Sequence, residues 1–205
     1  MRKTRKSGVF LACLILFCQV FVLTGCTGKS SAQEVTGLAV SKDGQITATI
    51  VEPFDKDYYT VDGLKTQIEE EIASYENAGA ITLETVEEIT VENEGQSVKS
   101  VCVVIEYATG EDYRKFNGKT CFYGTVEEAR NSGFAFDGEF VNAKGEKKEL
   151  GLTDLTQMKD FKVLIVEEDM AVSIPGKMQY MTAGAELKNN SIITHSEEFT
   201  YVIMK

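Results

Sequence analysis

The sequence predicts an α+β fold: mainly antiparallel sheet with one long amphipathic helix, several short helices and a strand-rich C-terminal part. Three observations predict it. After residue 34 apolar residues mostly alternate with polar ones, the period of a half-buried strand. One stretch, residues 62–78, instead repeats its apolar positions at helical spacing. Strands and helices do not alternate one for one, which argues against a doubly wound parallel sheet.

Residues 35–51 read as a hairpin turning at Lys42, Asp43 and Gly44, with Ile46, Ala48 and Ile50 alternating with threonines and Pro53 ending it. In residues 62–78, Leu64, Ile68, Ile72 and Tyr75 form one stripe, and Asn77 with Gly79 supplies the stop. A second hairpin pairs residues 87–92 with 98–107 around Asn93, Glu94 and Gly95. Its return strand is apolar on both faces, with Val101, Val103, Ile105 and Tyr107 on one and Cys102 and Val104 on the other, so a cover on both sides is expected. Thr109 with Asp112 and Thr125 with Glu128 have the spacing of capping boxes that open two short helices.

The remainder reads as strands at 136–150, 162–167, 171–174, 177–181, 192–194 and 199–204, with a brief helix near 154–158. Glu167, Glu168 and Asp169 are expected to form a hairpin turn. Pro175-Gly176 is expected to be a structural turn joining two strands of the C-terminal sheet; the alternative reading is an exposed turn whose neighbours Met178, Tyr180 and Met181 touch a partner.

Composition separates two unlike parts. The chain has 205 residues and a formal charge of −11. Residues 1–25 hold Arg2, Lys3, Arg5 and Lys6 and no acid, so residues 26–205 carry 17 of the 21 bases against all 32 acids, or −15. Such an excess argues against nucleic acid, whose phosphates need Lys and Arg to neutralise them. The cationic start and the apolar run of about 15 residues after it make a secretory signal, too short for the roughly 20 residues of a spanning helix.

Leu23, Thr24, Gly25 and Cys26 close that run. They resemble a bacterial lipobox, with the branched residue, the glycine and the cysteine in register. The resemblance implies a lipoprotein: Cys26 takes a lipid through its thiol, and cleavage before it removes the signal peptide, residues 1–25. Two acyl chains, each methylene burying about 0.8 kcal/mol, make a stable anchor. Residues 26–33 then read as a flexible tether and 34–205 as an extracytoplasmic domain, with 34–133 and 134–205 as the alternative division into subdomains. In general character the chain resembles surface lipoproteins of Gram-positive bacteria. The expected location is the outer face of the cell membrane, reached through the lipid on Cys26.

Once Cys13 and Cys18 leave with the signal and Cys26 is acylated, Cys102 and Cys121 remain. They read first as two buried reduced thiols acting as small hydrophobes, and a disulfide between them, which export permits, is the alternative. A thiol enzyme would need a base, and the one imidazole, His195, lies in a turn-like Thr-His-Ser context. The closest approach to a calcium loop is Asp55-Lys56-Asp57 with Asp62-Gly63, but a lysine sits between the acids. The other acid pairs, Glu69 to Glu71, Glu87/Glu88 and Glu111/Asp112, read as solvated faces. No nucleophile elbow, phosphate loop or clustered His/Cys set is present, so neither a metal nor a cofactor is expected. The favoured function is a non-enzymatic module that binds an envelope protein or small ligand. The alternative is an exported hydrolase or thiol enzyme, using Cys121 or carboxylates that only the fold brings together.

Overall fold

The computed structural model describes residues 35–93, 95–188, 191–194 and 199–205. The signal, Cys26 and His195 lie outside the described residues. The N-terminal strands are β1 (Gly37–Val40), β2 (Ile46–Pro53), β3 (Ile81–Asn93) and β4 (Gln96–Tyr107). Then come β5 (Cys121–Thr125), β6 (Glu139–Asn142), β7 (Lys147–Glu149) and β8 (Lys162–Val166). The last are β9 (Ala171–Ser173), β10 (Met178–Thr182), β11 (Glu186–Lys188), β12 (Ser191–Ile193) and β13 (Thr200–Met204). The helices are α1 (Val61–Ser74), α2 (Gly110–Asn117), α3 (Val126–Asn131) and α4 (Leu152–Gln157).

These strands form two sheets, so the α+β class is as expected. The first runs β11-β12-β9-β1-β2-β4-β3 and the second β5-β8-β13-β10-β6-β7. Pairing is antiparallel except between β1 and β9, which run parallel. β5 comes before residue 133 and lies in the second sheet, while β9, β11 and β12 come after it and complete the first.

The sheets pack face to face. Leu38, Ala48, Val103 and Ile105 from the first meet Leu164, Val166, Val202 and Met204 from the second in one buried cluster. Each such side chain, taken wholly out of water, contributes about 1.5–3 kcal/mol. Ile68 of α1 joins the same cluster, whereas Leu64, Ile72 and Tyr75 are only partly buried against it. The back of the second sheet is covered as well: Val163, Ile165, Tyr201 and Ile203 pack with Val126 and Ala129 of α3, Leu155 of α4 and Phe136.

Local chemistry fixes the helix ends. Thr60 accepts from Gly63 N, and Thr109 accepts from Asp112 N while Gly118 closes α2 at φ 71°. Thr125 and Glu128 form the reciprocal capping box of α3.

Three features differ from the expectations. β5 is a strand that residue pattern does not predict; its short CFYGT run pairs with β8 at the edge of the second sheet. Residues 167–169 are not a hairpin turn but a crossing, because β8 and β9 belong to different sheets. Pro175-Gly176 is a crossing in the opposite sense, from β9 to β10. Gly176 keeps that crossing close to the end of β13: a Cβ would stand 3.0 Å from the Lys205 carbonyl oxygen, so that backbone would have to give by a few tenths of an ångström.

Candidate functional site

From β4 onward the chain passes between the sheets five times. One passage, from β10 to β11, turns at Gly184 with φ 104°, a backbone that glycine adopts without strain. Here the sandwich opens. Met178 and Met181 of β10, Val141 of β6, and Ala185 and Leu187 around β11 line a cleft of about 430 Å³. Met178, Met181 and Ala185 are buried, and Leu187 is 52% exposed at the mouth.

The rim is polar and locally ordered. Asn142 Oδ1 accepts from Lys144 N at 2.9 Å and Glu146 N at 3.0 Å, while its amide donates to Glu146 Oε2 at 2.7 Å. Lys188 and Glu186 pair across 2.8 Å. Two polarizable thioethers on the floor of an apolar recess suit an apolar group of variable shape. Met178 and Met181 appear in the sequence reading only in its alternative, a partner contact beside an exposed turn, and the structure places both in the cleft instead. Leu187 and Val141 carry no such signal in the sequence, because only the crossing brings them there. A second, smaller recess of about 320 Å³ lies by Arg130, Phe134, Phe136 and Leu155.

The cysteines are placed differently. Cys102 and Cys121 are both free and buried. Cys102 stands between Val51 and Glu87 on the outer face of the first sheet, and Cys121 opens β5 in the core of the sandwich. Burial pushes the Cys121 thiol up to about 12, and the nearby Glu168 carboxylate adds to the shift. A thiol so held is neutral near pH 7, the reverse of what a nucleophile needs.

Around Cys121 is a closed polar group that residue spacing does not assemble. Tyr113 donates to Glu168 Oε2 at 2.6 Å. Burial raises Glu168 while the Tyr113 hydrogen bond and Lys119 pull it down. Burial also raises Tyr113 and Tyr107, whose rings meet edge to face at 5.1 Å. Next door, Glu167 accepts from Thr120 N at 3.0 Å, which lowers its carboxyl. These contacts lock α2 to the crossing after β8.

The remaining acids are scattered. Asp55 lies 3.3 Å from Lys56, Glu88 3.0 Å from Lys99, and Glu111 2.7 Å from Arg114. Asp62 sits in the first turn of α1, where a negative charge suits the helix dipole. Among the described residues no cluster of His, Cys, Asp and Glu is arranged to hold a metal, and no helix is long and apolar enough to cross a membrane. No family model matches this chain, and no curated protein or solved structure matches it either.

Proposed function

We propose that the protein is a lipoprotein of the cell envelope whose domain binds an apolar group in the cleft between its sheets. The observation that carries the binding part is the apolar floor of Met178, Met181 and Val141, open to solvent beside Leu187. The lipid on Cys26 holds the domain at the outer face of the membrane, and residues 26–33 act as its tether. Export and the anchor rest on the basic start, the apolar run and the lipobox. The occupant is an apolar portion of a small ligand or of an envelope protein's side chains. The protonated state of Cys121 speaks for a binding rather than a thiol-enzyme reading.

Each half has its own experiment. The full chain should raise the fluorescence of the neutral apolar probe N-phenyl-1-naphthylamine, and Met181→Lys should abolish the rise. Absence of a rise in the unaltered protein, or its persistence in the variant, defeats the cleft. For the anchor, Cys26→Ser should move the protein from the membrane fraction to the soluble one; retention at the membrane defeats it.

A further inference from the structure

Val35 is where residues 26–34 join the domain, and local bonds fix its place. Thr36 Oγ1 accepts from Val51 N at 3.0 Å and donates to Val51 O at 3.2 Å, so Val35 stands beside the end of β2. Register puts Gly37 of β1, Pro53 of β2 and Ser100 of β4 toward that same end of the first sheet, with the β1–β2 turn at the other. From Pro53 the chain passes through residues 54–60 into α1.

Residues 54–60 carry an aromatic ladder that rises from core to solvent. Phe54 is buried, and its N–H donates to the Lys99 carbonyl at 2.8 Å. Tyr59 stacks on Phe54 at 5.4 Å, and Tyr58 meets Tyr59 edge to face at 4.6 Å. Tyr59 N also donates to the Lys56 carbonyl at 3.0 Å, which closes the loop on itself. The contacts that hold these rings do not shelter them: Tyr58 is 75% exposed, the most of any large apolar side chain among the described residues. Of the six such side chains left exposed there, Val35, Tyr58 and Tyr59 gather at this one end of the sheet.

We propose that the ladder is a membrane-contact surface, with Tyr58 and Tyr59 seated in the headgroup layer of the bilayer to which the chain is tethered. The inference rests on the lipid anchor proposed above. Nine residues separate Cys26 from Val35 and reach at most roughly 30 Å, so the end of the sheet that holds Val35 is the end kept nearest the lipids. Tyrosine suits that layer, because its ring is apolar while its hydroxyl stays wet. Charge does not supply the attraction. Asp55 and Lys56 lie 3.3 Å apart and Asp57 follows, so the loop is net acidic, as are residues 26–205 at −15. An anionic surface would repel both, whereas a zwitterionic one admits the rings. A tether alone leaves the domain free to turn; two rings in the interface hold one end down.

The chain contains no tryptophan, so a single one reports its own surroundings. The full lipidated chain carrying Tyr58→Trp is reconstituted in phosphatidylcholine vesicles. Lys42→Trp in the β1–β2 turn is the control at the opposite end, and Gln96→Trp marks the β3–β4 hairpin, which projects from the tethered end as well. All three positions are exposed. When the lipid's acyl chains are brominated, the emission of Tyr58→Trp should fall at least two-fold and that of Lys42→Trp hardly at all, with circular dichroism unchanged.

Equal quenching at positions 58 and 42 overturns the proposal. So does quenching at 96 without quenching at 58, which would give the contact to the hairpin tip. An emission shift of Tyr58→Trp with soluble chitin oligosaccharides but not with vesicles would make the ladder a glycan platform instead. A chain that floats with the vesicles but shows no quenching defeats the contact and spares the anchor. One that does not float defeats the anchor, and the contact with it.

Discussion

The two sheets bury strands of similar sequence to different depths. β13, TYVIM, lies between β8 and β10, and all five of its residues are buried because the first sheet covers one side and α3, α4 and Phe136 the other. β4 is also interior and also apolar on both faces, yet on its outer face Val104 is only half-buried, and neither it nor the buried Cys102 belongs to either core cluster. Apolar character on both faces therefore marks an interior strand but does not count the layers around it.

Substitutions sharpen this contrast. Ile203→Ala empties a site with no exposure in the doubly covered sheet, and should cost about 2–5 kcal/mol in urea unfolding. A loss under 1 kcal/mol would mean that the α3 layer packs loosely. Next comes Gly110→Ala, at the contact between α2 and the edge of the second sheet. Its Cβ would stand 2.5 Å from the Cys121 carbonyl oxygen, so the backbone must shift, at about 1–3 kcal/mol in thermal unfolding.

Tyr113→Phe removes the donor to Glu168 and should cost about 1–2 kcal/mol at pH 7. The dependence on acid follows from sign. Glu168 is raised above its ordinary 4.5, so its contribution is fully present below that value and is lost as pH rises through the folded one. Without the tyrosine the folded value rises further and more is lost at pH 7. The gap between the two proteins should therefore narrow from pH 7 to pH 4, and a constant gap would mean that Glu168 does not titrate with the fold. The groups facing it are Tyr113, Cys121, Lys119 and Glu167. Smallest of all, Val104→Thr at a half-buried site on the outer face of the first sheet should change stability by no more than about 0.5 kcal/mol. A larger loss would show a layer over that face.

Much of the local structure was legible from residue pattern. Both N-terminal hairpins and the caps at Thr109 and Thr125 depend on short-range chemistry, and they stand where turn residues and side-chain oxygens put them. Which sheet a strand joins was not legible. Residues 167–169 have the composition of a hairpin turn, but whether β9 folds back on β8 or crosses to β1 depends on contacts more than a hundred residues away. The same distance hid the cleft, since Val141, Met181 and Leu187 meet only through the crossing at Gly184. It also hid the Tyr113–Glu168 bond, which joins a helix to a loop 55 residues later.

The interior position of β13 sets an order of events during synthesis. β8 and β10 have no other strand to hold them together, so the second sheet cannot close until residue 204 has left the ribosome. Until then β8, β10 and Met181 wait with bare edges, and a growing chain halted before Thr200 holds the two halves of that sheet apart. The first four strands, contiguous in sequence, can meet long before. Closure of the second sheet, and with it the face that packs against the first, therefore waits on the strand that comes last in sequence.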